Sequence, residues 1–485
     1  MRWVRVVFAI FVLAGTGAVL LPGAAGAAVP AATVSTSTTL TASSTSITQD
    51  SWVTFTAQVG ASGGAPAGSV TFTDVSNGSV LDSAALGSGT ATFSTASLAA
   101  GTRSIVATYS GSSSFSPSSS AAVGIAVAPA GSMAVTFQVD ARHDGHQARG
   151  ALSAGSLVKK WSRTMSGAAA DTNSVSYPVI AHGRVFVTVQ ETGTYLYALN
   201  ASNGAIEWSV NLGGSIGYGA IAYDGRRIYA VNSDGILTAF VASTGHELWS
   251  AEIAAPFTAP PTAYDGVVYI SGAIGDVYAV SEADGQIRLV EPVLNGDDSS
   301  PAVDNTGAYV SYAGQQDYRF SLGGQLVWHY AGCCEGAGGS TPVLHGSYVY
   351  ARGDFDSPLI LAKSSGAAVG TFASVSAPAF DSTNMYTLYG GNLVAVAPSG
   401  SPSRWTFKNG SLVTAPVVNN GVVYIGSSDG RVYGVSASSG AKVWTGTAGS
   451  FISGPAEDVG LQSGTAIGGG LLVVPAGNVL TAFGD

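Results

Sequence analysis

Ala415-Pro416-Val417-Val418-Asn419-Asn420-Gly421-Val422-Val423-Tyr424-Ile425-Gly426, continued by Ser428-Asp429-Gly430-Arg431-Val432-Tyr433 and closed by Ser439-Gly440 and Trp444, is one complete copy of a unit that recurs along the chain. Its β-branched and aromatic runs predict strands. Asn420-Gly421 and Asp429-Gly430 supply the positive backbone dihedrals of tight hairpins. Pro416 opens an innermost strand, where a missing N–H costs little. Gly440 then turns the chain into a fourth strand that ends on Trp444.

Outward from this copy, the same beats return about every 40 residues, the period of propellers and solenoids. They run from Tyr177-Pro178 to Trp208, from Asp224-Gly225 to Trp249, from Pro261 to Tyr278, from Pro301 to Trp328, from Pro342 to Gly366 and from Pro378 to Trp405. Two incomplete pieces remain. The stretch from Gly464 to Phe483 carries three strand-like pieces without a terminal tryptophan strand, and Leu157 to Trp161 supplies a lone strand at the other end. Pairing the lone strand with the last three closes a ring and removes exposed sheet edges, whereas a solenoid needs a capping repeat at each end. The expectation is an eight-bladed β-propeller closed by its N- and C-terminal strands sharing one blade. The endings around Ala198–Trp208 and Ala239–Trp249 resemble the tryptophan-docking repeat of quinoprotein dehydrogenases, a repeat (PQQ-like) shared by non-enzymatic relatives that include outer-membrane assembly propellers. The resemblance implies that Trp161, Trp208, Trp249, Trp328, Trp405 and Trp444 are buried between blades, where an indole gives a large apolar contact. Leu289 and Gly370 replace tryptophan at two joints, which are expected to pack less tightly.

Ahead of the repeats, Thr33 to about Val127 is rich in Ser, Thr, Ala and Val and alternates polar and apolar residues at Trp52–Ala57 and Gly68–Thr73. Period-two patterns are half-buried strands, and about 95 residues is one immunoglobulin-like sandwich. Gly68-Ser69-Val70-Thr71-Phe72, Leu98–Thr102, Ala107–Gly111 and Phe115–Ser118 resemble the bacterial Ig-like modules of surface and secreted proteins. The module holds no cysteine, so sheet packing alone must stabilise it; a spacer role is expected.

The chain begins with Arg2 and Arg5, an apolar run from Val6 to Leu21 and the small-residue stretch Ala25-Gly26-Ala27-Ala28, the layout of a cleavable secretory leader. The run is shorter than the roughly 20 apolar residues of a spanning helix, so no membrane span is expected after cleavage. The predicted organisation is leader 1–28, Ig-like domain 33–128, linker 129–134 and propeller 135–485. Formal charge is −10, and loss of the two leader arginines makes it more negative, which argues against nucleic acid as a partner. Charged residues form 10% of the chain against 65 glycines and 46% hydrophobic residues, so short strands and tight turns are implied rather than disorder.

Chemistry is sparsely signalled. Cys333 and Cys334 are adjacent, follow Trp328, and are expected near the channel mouth. A vicinal disulfide there would be strained, because neighbouring α-carbons lie about 3.8 Å apart. Some quinoprotein dehydrogenases carry such a ring against their cofactor, so the resemblance makes this pair a candidate cofactor contact; a rigid loop clasp is the plainer expectation. Asp297, Asp298 and Glu335 could gather at the same mouth for calcium, which needs six to eight oxygens. Asp140-Ala141-Arg142-His143-Asp144-Gly145-His146 shows no zinc spacing and reads as a lead-in to the repeats. No haem-attachment motif or Walker-type loop occurs. The first functional expectation is a secreted, monomeric, non-catalytic protein, free or held at the cell wall, that binds protein or glycan without a cofactor. The second is an extracellular oxidoreductase using PQQ and calcium, and the third a carbohydrate-active enzyme.

Overall fold

The computed structural model describes residues 33–48, 53–95, 98–128, 131–150, 152–165, 174–214, 219–253, 259–272, 275–294, 299–332, 340–353, 357–454 and 464–485. The leader, Cys333, Cys334, Glu335, Asp297 and Asp298 lie outside them. The described residues are strands and turns without a helix, and none of their segments is a helix long and apolar enough to cross a membrane. Two compact units result, the second holding Ala128–Asp485.

The first unit is a sandwich. One sheet orders Thr36–Ala42, Val53–Ala61 and Thr90–Thr95, and the other orders Ser46–Thr48, Val123–Ala128, Gly101–Tyr109, Ser69–Asp74 and Ser79–Ala85, with Ser118–Ser119 beside Gly101–Tyr109. Alternation buries Val53, Phe55, Ala57 and Val59 of one sheet and Val70 and Phe72 of the other. Phe93 lies 6.3 Å from Phe55 and 5.5 Å from Phe72.

Among the described residues, the second unit contains eight four-stranded antiparallel sheets. Seven are continuous in sequence, with inner strands Val179–Ala181, Gly219–Asp224, Thr262–Tyr264, Ala302–Asp304, Val343–His345, Ala379–Phe380 and Val417–Asn419. The eighth orders Val158–Thr164, Val479–Gly484, Leu471–Ala476 and Ala466–Gly468, so residues from both ends of the unit share it. The inner strands of sheets one to five touch in sequence, Tyr350 of the fifth meets Phe380 of the sixth at 4.6 Å, and the series returns through the seventh and eighth to the first.

Local chemistry sets each sheet's form. Proline near the start of an inner strand removes a ladder donor, and a hydroxyl two residues earlier takes up pairing with the second strand. Ser176 Oγ accepts from Thr188 N at 2.9 Å, Ser299 Oγ from Ser311 N at 3.3 Å, and Thr414 Oγ1 from Gly426 N at 2.8 Å. The third and fourth strands carry a bulge beside the docking position in sheets one to seven. A bulge bends its strand and re-aims a side chain. Small residues sit opposite most of the tryptophans, among them Ala198 opposite Trp208, Ala239 opposite Trp249 and Ala395 opposite Trp405.

Candidate functional site

Each docking tryptophan reaches from its own sheet to the next. Trp161 Nε1 donates to Ala201 O at 2.7 Å, Trp208 to Ala242 O at 3.2 Å, Trp249 to Glu282 O at 2.9 Å, Trp328 to Lys363 O at 2.8 Å, and Trp405 to Ala437 O at 3.0 Å. Trp444 donates to Leu157 O at 3.0 Å and packs edge-on to Phe483 at 5.1 Å. The first five rings cover Gly204, Gly245, Gly285, Gly366 and Gly440. Gly366 has φ +70°, and a Cβ there would lie 2.6 Å from the Trp328 ring, so the turn and the indole both require glycine. Leu289 takes the ring's place against Gly324. At Gly370 the following turn, Gly400, packs on the backbone of Thr371 and Phe372.

At the centre lies a segment without a repeat. Ser132–Ala134, expected in the linker, is already held by the sheets: Ala134 is fully buried and Ser132 O accepts from Gly469 N at 2.6 Å. From there the chain makes a circuit. Ala134 exchanges both backbone hydrogen bonds with Ile180 of the first sheet, Val135 O accepts from Tyr223 N of the second at 2.7 Å, and Thr136 Oγ1 donates to Pro261 O beside the third at 3.3 Å. Ala141 O then accepts from Val303 N (2.6 Å), Arg142 O from Leu344 N (2.9 Å), Asp144 O from Phe380 N (3.0 Å) and Gly145 O from Val418 N (2.7 Å). Gln147 closes the path by donating Nε2 to Ile467 O of the eighth sheet and to Met133 O, both at 2.7 Å. Asp140–His146, read from sequence as a lead-in, is therefore packed among the inner strands of the sheets.

The circuit needs an unusual backbone. Gln138, Val139 and His143 have φ of 52°, 80° and 59°; a β-branched residue at positive φ persists only where its surroundings over-determine it. Phe137 packs edge-on to Tyr177 at 5.6 Å, whose hydroxyl donates to Ile221 O at 2.6 Å. His143 is fully buried, with Nε2 3.3 Å from Thr262 Oγ1, which in turn lies 3.2 Å from Ser300 Oγ. Burial pushes its pKa down to about 4 against the pull of the Pro342 carbonyl and Asp144, so the ring is neutral at pH 7.

Charge collects where the segment meets solvent. The Arg142 guanidinium lies 2.7 Å from Asp140 and 3.3 Å from Asp144, and His345 Nδ1 is 3.9 Å from Asp144 while its ring stacks on Phe380 at 4.3 Å. Burial, then the Asp144 charge, raises the Asp140 pKa against the pull of Arg142. Asp304 and Lys363 pair at 2.6 Å nearby. Two buried carboxyls lie elsewhere: burial pushes Asp317 up to about 7, and burial with the Asp224 charge pushes Glu282 up to about 8, where it accepts from Tyr229 at 3.0 Å. Among the described residues no group of three or more His, Cys, Asp or Glu is placed to hold a metal ion.

Sequence reasoning passed over the central segment because it occurs once. Its signal was composition: Asp140, Arg142 and Asp144 fall within five residues of a chain in which only 10% of residues are charged.

Comparison with known proteins agrees with this architecture. The chain is 25% identical over 294 residues to an outer membrane protein assembly factor BamB from Moranella endobia, covering 55% of this chain and 66% of that protein. It is 31% identical over 104 residues to a quinoprotein ethanol dehydrogenase from Pseudomonas putida, covering 21% of this chain and 17% of that protein. Among solved structures, the quinohemoprotein alcohol dehydrogenase from Comamonas testosteroni shares the fold with a TM-score of 0.56 and 13% identity, over 73% of this chain and 80% of that one. Residues 40–128 match a bacterial Ig-like domain (group 3). With residues 192–354 and 318–483 matching it, more than half of the whole, the chain belongs to the family described as outer membrane protein assembly factor BamB.

Proposed function

We propose that the chain is a secreted, monomeric, non-catalytic binding protein: eight sheets acting as eight blades of a closed propeller, with an Ig-like spacer, carrying a protein or glycan on an exposed face. The observation that carries this is the occupancy of the channel by the chain itself. Phe137 and His143 fill it at 1% and 0% exposure, and backbone N–H groups of six inner strands donate to the segment. Binding then falls to the faces of the ring. Folds of this kind host unrelated functions, so the proposal rests on the site rather than on the likeness. The family's assembly-factor name makes a protein partner the first class to test, with release at the cell surface or loose retention at the wall as the setting.

A second reading, an extracellular oxidoreductase with PQQ and calcium, is favoured by the short dehydrogenase match. It would use Cys333 and Cys334 against the quinone and Asp297, Asp298 or Glu335 for the metal. Calorimetric titration of the full chain with PQQ and calcium separates the two. Absence of saturable binding at micromolar concentration is expected; saturable binding would overturn the first reading. Mass spectrometry under non-reducing conditions reads the thiol state of Cys333 and Cys334. Peptide and glycan arrays probed with the full chain then identify the partner class, and hydrolysis of a bound sugar would promote the carbohydrate-active alternative.

A further inference from the structure

We infer that residues 132–147 act as an internal clasp that couples all the sheets of the second unit into one cooperative body, so that the unit opens by release of this segment rather than sheet by sheet. The inference stands on backbone hydrogen bonds and is independent of which partner the protein binds.

The order of contacts carries it. Within 16 residues the segment makes hydrogen bonds in or beside the inner strands of all eight sheets, passing from Gly469 at the eighth through the first to the seventh and back to the eighth through Gln147, while Gln138 also reaches Ala377 O and Pro416 O and His143 reaches Thr262. Local packing against two or three neighbouring sheets would not produce that sequence. The docking tryptophans, by contrast, each join only adjacent sheets, and a repeat array held by nearest-neighbour contacts alone loses cooperativity as it lengthens. The inner strands also need the segment. Each turns one edge toward the channel, and its N–H must be satisfied there. The segment supplies acceptors to Ile180, Tyr223, Val303, Leu344, Phe380 and Val418.

Gly145 is the point at which the clasp can be broken. It has φ +63°, and a Cβ would lie 2.7 Å from Ala379 Cβ and 3.0 Å from Pro416 O, both on packed inner strands. Hydrogen-exchange mass spectrometry on the full chain tests the inference. In the wild type, peptides covering Ile180, Tyr223, Val303 and Val418 are expected to exchange with one common rate and denaturant dependence. In Gly145→Val all four are expected to exchange at least ten-fold faster together. Acceleration confined to the peptides of Phe380 and Val418, beside the substitution, would overturn the inference. Should Gly145→Val fail to fold, Gln147→Leu removes the two carboxamide bonds to Met133 and Ile467 and reads the same way, and four separate denaturant dependences in the wild type would overturn it without any variant.

Discussion

The rim and the centre of the second unit are held by opposite means. At the rim, a tryptophan on one sheet covers a glycine turn on the next and donates to one carbonyl, as Trp328 does to Lys363 O, and the device recurs around the unit. At the centre, a single segment reaches every sheet. A repeated device acts between neighbours; a single-copy device has no substitute elsewhere. The difference teaches that a repeat protein can be legible in its joints and silent about what makes the joints act together.

Several changes would sharpen the contrast. The largest effect is expected at a joint: Trp328→Ala should cost about 4 kcal/mol, the range for deleting a buried aromatic, read as a lower midpoint in urea. Because the clasp makes all the sheets open together, the inner-strand peptides should still exchange with one common, faster rate in this variant. Acceleration confined to the fourth and fifth sheets would show that the sheets open separately.

The next effect belongs to the centre and depends on pH. His143 has a folded pKa of about 4 against 6.5 when unfolded. Between those values the unfolded state binds the extra proton, so stability present above pH 6.5 is lost as pH falls toward 4, by about 3 kcal/mol. His143→Gln, which keeps a hydrogen-bonding side chain without that titration, should flatten the dependence relative to the wild type. Parallel urea midpoints for the two proteins at pH 7.5 and 4.5 would remove His143 as a pH-sensitive part of the clasp.

The smallest of the three is Leu289→Ala. This joint lacks both the indole area and its hydrogen bond and Leu289 is half-buried, so a cost of about 2 kcal/mol, the low end of the range for leucine truncation, is expected. A cost equal to that of Trp328→Ala would show that the glycine turn, rather than the aromatic ring, sets the strength of a joint.

Much of the architecture was legible because its causes are local and repeated. Asn420-Gly421 and Asp429-Gly430 mark hairpins in any context, and the spacing from Pro416 to Trp444 returns often enough to be recognised. The tryptophans were legible as docking groups, whereas Gly440 and Gly366 were legible only as turns: glycine in a turn looks the same whether or not a ring lies over it. The linker boundary was drawn at 134, but Ala134 is fully buried between strands, which no composition shift announces. His143 and Asp144 were set aside for want of metal spacing, and their burial comes from sheets far along the chain.

Sequence by itself determined the strands, the turns, the two units and the tryptophan joints, since these follow from short-range periodicity and from residues with special backbone freedom. Only the tertiary structure decided that Ser132–Gln147 lies among the inner strands and touches every sheet. Its contacts span separations as long as that from Gln147 to Ile467, and a segment that occurs once leaves no period to read; its conformation is dictated by the ring around it.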